Sequence, residues 1–217
     1  MKEQKSISPE IVVWDFNGTI LDDVDAGIHS INELLCERDL APIPSREAYQ
    51  EAFGFPIQEY YARIGFDFTK YPYEVLAPIW MEKYLRFVRD SRIFDDIPTT
   101  LETISRCGAR QIVLSACERQ MLQRQLREFG VFDYFEEVLG LDNIHAASKT
   151  ALAIEWRKKN SAERILLIGD TDHDVETARA MGIECVLVAR GHQSRARLET
   201  LGVPVVANLA EVLEKYF

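Results

Sequence analysis

Short apolar runs that stop at a polar residue, each followed by an amphipathic stretch, recur along this 217-residue chain and narrow its possible folds. Ile11-Val12-Val13-Trp14 ends at Asp15, Gln111-Ile112-Val113-Leu114 at Ser115, and the run from Arg164 to Ile168 at Gly169-Asp170. Cys185-Val186-Leu187-Val188 and a short Val205-Val206 follow. Runs this short and this continuously apolar read as strands buried on both faces, as in a parallel sheet covered by crossover helices. Helical spacing fills the intervals: Pro98 to Cys107, Glu118 to Phe129, Lys149 to Asn160, Asp174 to Met181 and Leu209 to Tyr216. Gly108, Gly130 and Gly182 fall just past three of these, where a left-handed residue closes a helix.

One segment breaks the alternation. Between about Asp25 and Asp90 no run reads as a buried strand, while "GIHSINELLCERDL" and "YEVLAPIWMEKYLRFVRD" carry helical spacing of apolar residues. Asn32 and Pro78 interrupt those patterns without ending them. The fold class expected is therefore α/β, a Rossmann-like parallel sheet with an α-helical insertion between its first and second strands. Tyr60, Tyr61, Trp80 and Tyr84 are expected to form the core of that insertion rather than to touch a ligand.

Charge removes several function classes. A net charge of −10 and an isoelectric point near 5.0 oppose non-specific binding to nucleic acid or to an anionic membrane, both of which need a positive field. No stretch approaches the ~20 apolar residues of a membrane span, and the polar start MKEQKSISPE lacks the apolar centre of a secretory signal. Cys36, Cys107, Cys117 and Cys185 show no metal-finger spacing and read as buried or half-buried thiols of a reducing compartment. A cytoplasmic protein is expected, with no code for oligomeric state.

Ligands of open parallel sheets bind beyond the carboxyl ends of the strands. Three separate strand ends here deliver Asp15, Ser115 and Asp170 to one edge. A single aspartate after a strand is an ordinary turn residue; three polar strand ends together mark a site.

These stretches, taken in order, resemble the haloacid dehalogenase-like hydrolases. "DFNGTILDD" is similar to the family's first motif, Asp-x-Asp-Gly-Thr, and "VLSA" to the second, a strand ending in Ser or Thr. Lys149 in "AASKTALAIEW" stands where the third motif has its lysine, and "GDTDHDVETARAMG" resembles the fourth, with Asp170 and Asp174 as its acidic pair. The resemblance covers almost the whole chain and is nearest to phosphoglycolate-phosphatase-like members with a helical cap. It implies a catalytic core of residues 1–24 and 91–217 and a cap at 25–90, moving about Gly18 and the stretches near Asp22–Asp25 and Arg89–Ile93.

The resemblance also implies chemistry. Asp15 would be the nucleophile that forms an aspartyl-phosphate, and Mg2+ would be held by Asp15, the Asn17 main-chain carbonyl and Asp170, with Asp174 supporting it. Ser115, Ala116, Lys149, Gly18 and Thr19 would surround the phosphate of a small phosphorylated metabolite. Each assignment has a physical basis. A carboxylate attacks a phosphate only when cations offset their repulsion, and phosphoryl transfer depends chiefly on positioning and charge neutralisation. Taken alone, Lys149 reads as a surface lysine, Ser115 as a cap for a helix starting at Glu118, Asp22 and Asp23 as helix-capping carboxylates, and Asp172 as solvent-facing.

Asn17 departs from the pattern. The family's phosphatases carry an aspartic acid two residues after the nucleophile, which protonates the leaving oxygen and later activates water. An amide does neither, and general acid–base catalysis contributes ~10²–10⁴-fold. Four readings follow: a phosphatase for good leaving groups or with a substitute acid–base group; a slow hydrolase or phosphotransferase with a long-lived phospho-enzyme; a phospholigand-binding or regulatory protein; or an introduced asparagine that traps a complex. The acidic fourth motif argues against dehalogenation, which does not use the Mg2+ site. Lys70 and Lys83 are the insertion's candidates for a Schiff-base lysine, though neither sits in a motif. Phosphate monoester hydrolysis ranks first.

Overall fold

The computed structural model describes residues 8–141 and 148–217. Residues 1–7 and 142–147, which fall in the expected core, lie outside the described residues. The chain opens with strand β1 (Ile11–Trp14) and a two-residue strand β2 (Leu21–Asp22), then runs through helices α1 (Val24–Cys36), α2 (Arg46–Ala52), α3 (Ile57–Arg63) and α4 (Tyr73–Phe87). Strand β3 (Arg92–Ile93) pairs antiparallel with β2, so the helical segment leaves and re-enters through one narrow ribbon.

From there strands and helices alternate. Helix α5 (Ile97–Arg106) leads to β4 (Arg110–Glu118), α6 (Arg119–Glu128) to β5 (Glu137–Leu141), and α7 (Lys149–Lys159) to β6 (Ile165–Gly169). Helix α8 (Asp172–Met181), β7 (Glu184–Val188), α9 (Arg195–Glu199), β8 (Val205–Val206) and α10 (Leu209–Tyr216) complete the chain. The sheet is parallel throughout, in the order β5-β4-β1-β6-β7-β8.

Side-chain alternation explains why the strands look uniformly apolar. Val12, Trp14, Val113, Leu166 and Ile168 face one side, packed with Leu101 of α5, Leu126 of α6 and Val212 of α10. Ile11, Val13, Ile112, Leu114 and Leu167 face the other, against Ala153 and Trp156 of α7 and Val175 and Ala178 of α8. Both faces are buried, so a polar residue inside these strands is costly and must find a partner. Gln111 does so by accepting from the Trp14 indole at 3.0 Å and donating to the Leu101 carbonyl at 2.9 Å. Gly108, Gly130 and Gly182 take the left-handed conformations expected of them, at φ 83°, 69° and 66°.

Helices α1 to α4 gather a third apolar cluster around Val24, Ile31, Leu34, Tyr49, Tyr61 and Leu76. Asn32 turns inward and clamps the following loop, its amide bonding both the N–H and the carbonyl of Ile43 at 2.7 and 3.0 Å. Pro78 is accommodated inside α4. The segment rests on the strip after β7: Gln50 donates to the Gly191 carbonyl at 2.7 Å, Arg46 to the Arg190 carbonyl at 3.4 Å, and Arg197 to the Phe53 carbonyl at 2.5 Å.

Some sequence expectations need correction. Strand β5, the two-residue strands β2 and β3, and the short helices α2, α3 and α9 are elements that the apolar runs and helical spacing do not predict. Cys36 and Cys107 are exposed rather than buried, and all four cysteines are free. Among the described residues, no helix is long and apolar enough to cross a membrane.

Candidate active site

Strand order reverses at the centre of the sheet. Chain progress runs outward from β1 to β4 and β5, then returns to the other flank as β6, β7 and β8. The crevice at such a switch point opens at the carboxyl ends of β1 and β6. Asp15 directly follows β1, and its N–H bonds the Ile168 carbonyl of β6 at 2.9 Å. Asp170 directly follows β6, so the two carboxylates stand side by side because the register places Trp14 beside Ile168.

Lys149, the first residue of α7, closes this group. It is 4 % exposed and pairs with both Asp15 and Asp174, the latter at 2.6 Å. Asp174 is fully engaged: its second oxygen accepts from the N–H groups of Asp170 and Thr171 at 3.1 and 3.0 Å and from the Thr171 hydroxyl at 2.8 Å. It therefore braces the turn between β6 and α8. Asp170 accepts from the Thr19 hydroxyl at 3.2 Å and the His192 N–H at 2.6 Å. Gly18, at φ 77°, and Gly191 press on the Asp170 carboxylate so closely that a Cβ at either position would collide with it.

Two of these three buried carboxylates share the Lys149 ammonium while Asp170 has no ion pair with it, and ligand oxygens of Asp15, Asp170 and Asp174 lie within 4.8 Å of one another. The electrostatics show the shortage of positive charge. Burial pushes the Asp15 carboxyl up to about 6, with Lys149 pulling down and Asp174 pushing further up. Asp170 is driven well above the carboxylate range by burial and by repulsion from Asp15 and Asp174, against the pull of His192. Asp174 is also penalised by burial, yet Lys149 and Thr171 outweigh that and hold it low. A divalent cation fits this donor set, with Asp15 and Asp170 as the carboxylates whose charge is least offset.

Ser115 reaches the same place by an irregularity. Leu114 faces Leu139 and Glu118 faces Leu141, so four steps along β4 answer two along β5. A bulge of this kind re-aims side chains. Ser115 is 1 % exposed and accepts from the Cys117 N–H at 3.0 Å, while Ala116 turns outward. Helix α6 is capped instead by its own Glu118, whose carboxylate accepts from Gln120 and Met121 N–H at 2.9 Å.

A second polar group faces the first across Asn17. Asp23 occupies the position before α1, but its side chain makes no cap bond. It is 1 % exposed and accepts from the Gly18 N–H at 2.8 Å, the Asn17 amide at 2.9 Å, the Tyr84 hydroxyl at 2.6 Å and His192 Nε2 at 3.2 Å. His192 Nδ1 meets the Tyr49 hydroxyl at 2.9 Å. Burial opposes the charge on both partners, yet attraction prevails: Asp23 is held below the usual carboxylate range and His192 is raised to about 9. Asp22, by contrast, stays exposed near Arg46.

Sequence reasoning therefore placed the strand-end residues and missed Asp23's burial, Tyr49, Tyr84, Cys117 and His192. The strand-end rule applied to β7 points to Ala189-Arg190 and falls short of His192, four residues past Val188. Tyr60 and Tyr61 do lie in the insertion's core, but Tyr84 reaches the site. Asp172 is half-buried and paired with Arg197 at 2.6 Å rather than free in solvent. Lys83 is engaged by Glu33 and Glu37 at 2.8 and 2.5 Å, and Lys70 is exposed against the ring of Tyr71.

The sequence profile of haloacid dehalogenase-like hydrolases matches residues 12–188, a span that contains every member of the carboxylate–lysine group. The chain belongs to the haloacid dehalogenase-like hydrolase family. Among its relatives, the tyrosine-protein kinase PtkA of Mycobacterium tuberculosis is 26 % identical over 210 residues, covering 95 % of this chain and 71 % of that protein. A phosphoglycolate phosphatase of Caulobacter vibrioides is 24 % identical over 202 residues, covering 90 % and 85 %. Among solved structures, a haloacid dehalogenase-like family hydrolase of Streptococcus pneumoniae superposes with a TM-score of 0.76 at 18 % identity, over 99 % of this chain and 100 % of that one. These likenesses fit the Rossmann-like α/β core.

Proposed function

We propose that this hydrolase is a Mg2+-dependent phosphatase of small phosphorylated metabolites, with Asp15 as its nucleophile. The observation that carries the reading is the buried group of Asp15, Asp170 and Asp174 around Lys149 at the switch point of the sheet. Asp15, Asp170 and the Asn17 carbonyl would hold Mg2+, which when bound neutralises phosphate charge and keeps both carboxylates ionised. Lys149 also orients Asp15, and Ser115, Ala116, Gly18 and Thr19 border the place of the phosphoryl oxygens. Helices α1 to α4 act as the cap over it. The phosphoglycolate phosphatase relative supports a small phosphate ester as substrate.

In the first step an Asp15 oxygen attacks phosphorus, the P–O ester bond breaks, and the leaving oxygen departs with the bonding pair. That oxygen needs a proton unless it is a stable anion. Asn17 has none to give, because an amide N–H is not acidic, and its two hydrogens are held by Asp23 and Tyr84. Activated esters are therefore the favoured substrates, and the aspartyl-phosphate is long-lived. This last point favours a second reading, transfer of the phosphoryl group to an acceptor other than water, which the likeness to PtkA also supports.

The test is release of phosphate from an activated aryl phosphate with Mg2+. Turnover is expected to vanish in EDTA and to fall by at least ~10³-fold in Asp15→Asn, as for loss of a covalent nucleophile. Turnover that survives Asp15→Asn sinks the nucleophile assignment. Hydroxylamine-labile phosphate retained on the protein without release favours the transfer reading.

A further inference from the structure

We infer that Asp23 is a positioning residue that makes an amide the fitting side chain at position 17; the turnover part of this inference rests on the phosphatase reading above. The hydrogen bonds around the two residues fix their sense. One Asp23 oxygen accepts from the Asn17 amide at 2.9 Å and from the Tyr84 hydroxyl at 2.6 Å. The other amide hydrogen of Asn17 goes to the Tyr84 oxygen at 2.8 Å, so the three groups close a ring. The second Asp23 oxygen takes the Gly18 N–H and His192 Nε2. On its far side the Asn17 oxygen meets two donors, the Cys117 thiol at 3.0 Å and the Ser115 hydroxyl at 3.5 Å.

Only one orientation of the carboxamide satisfies these partners. Turned over, it would set oxygen against the Asp23 carboxylate and N–H groups against the thiol proton. A carboxylate at position 17 has the same defect by chemistry: oxygen faces oxygen, with one tyrosine hydroxyl proton for two acceptors. Buried polar groups left facing their own kind lose a hydrogen bond and the desolvation that it offset. The carboxylate of this part of the site thus sits at 23, and position 17 complements it.

The same ring works in reverse. With the acid at position 17 and the amide at position 23, the oxygen of the exchanged amide would still accept from Gly18 and His192. Its N–H groups would donate to the exchanged carboxylate and to the Tyr84 oxygen, and the Tyr84 hydroxyl would donate to that same carboxylate. The carboxylate oxygen facing Cys117 and Ser115 would keep its donors. Every atom retains a partner while the side chain at 17 is a carboxylate; to serve as the acid it takes up a proton from solvent, giving up one of these donors, and then passes that proton to the leaving oxygen.

The experiment compares wild type, Asn17→Asp, Asp23→Asn and the double exchange. Thermal unfolding in EDTA reads the pairing without reference to activity. Each single change is expected to lower the midpoint, and the double exchange to recover most of the loss. With Mg2+, kcat for an alkyl phosphate, whose leaving oxygen needs a proton, is expected to rise ~10²-fold over wild type in the double exchange, the usual size of general acid catalysis. KM should change only a few-fold, and Asn17→Asp alone should give less than a tenth of that rise. A merely structural pairing would restore the midpoint and leave kcat unmoved. Asn17→Asp alone matching the double exchange in kcat overturns the inference, as does a double exchange no more stable than either single change. Should a single variant fail to fold, the double exchange against wild type decides in the same two measurements. If none of the four turns over either an aryl or an alkyl phosphate, the phosphatase reading fails, while the unfolding comparison still decides the pairing.

Discussion

Two groups of buried polar side chains meet at Asn17, and they are built on opposite plans. Behind it, Asp15, Asp170 and Asp174 crowd one lysine and remain short of positive charge. In front of it, Asp23, Tyr84 and His192 match donor to acceptor, with the Tyr49 hydroxyl against the far ring nitrogen of His192. The first group comes from the ends of β1 and β6 and the starts of α7 and α8, all parts of the sheet and the helices that cover it. The second joins the sheet to helices α2 and α4. An unsatisfied group is poised to take up a cation and an anionic substrate, whereas a saturated one holds shape. Charge-handling and shape-holding are thus separated across a single residue.

The contrast breaks most readily at Lys149. Lys149→Met strands Asp15 and Asp174 as buried carboxylates, a change that costs roughly 3–5 kcal/mol when one partner of a buried pair is lost. Denaturant unfolding in EDTA checks the stability, and aryl phosphate turnover with Mg2+ is expected to fall at least ~10²-fold, as for loss of a preorganised electrostatic contact. A variant as stable and as active as wild type would mean that the ammonium does not organise the rear group.

How much of this was legible follows the same division. Strands β1, β4, β6 and β7 announce themselves because burial on both faces forces a continuous apolar run. The residues at their ends follow from the sheet rule. Strand β5 lies at the edge and carries Glu137 and Gly140, so it lacks that run. The front group gives no local signal, because its members are brought together by pairing at long range: Tyr49 and His192 are 143 residues apart, Tyr84 and Asp23 61. Asp23 read as a helix cap because its position is indeed that of a cap, and only the approach of Tyr84 and His192 redirects it.

The front group has its own, smaller sensitivities. His192 is raised from an ordinary 6.5 to about 9, burial being outweighed by Asp23, Asp170 and Asp15. Its contribution to stability is therefore complete below pH 6.5 and is lost as pH rises through 9, worth about 3 kcal/mol for a shift of this size. Unfolding in EDTA across that range should show the decline, and His192→Gln should flatten it; an unchanged slope in the variant would remove His192 as its source. Smaller again is Tyr84→Phe, which leaves one Asp23 bond and one Asn17 hydrogen unmatched and is expected to cost about 1–2 kcal/mol in the same assay. No measurable loss would show that water replaces the hydroxyl.

The strip after β7 carries a different lesson. Gln50 and Arg46 of α2 reach the main-chain carbonyls of Gly191 and Arg190, and Arg197 returns the contact to the carbonyl of Phe53. These contacts recognise backbone, which every residue type presents alike. Substitutions at Phe53 or Arg190 would leave those three bonds their acceptors. Such docking leaves the other side chains of the helical segment free to change without altering how it seats on the sheet.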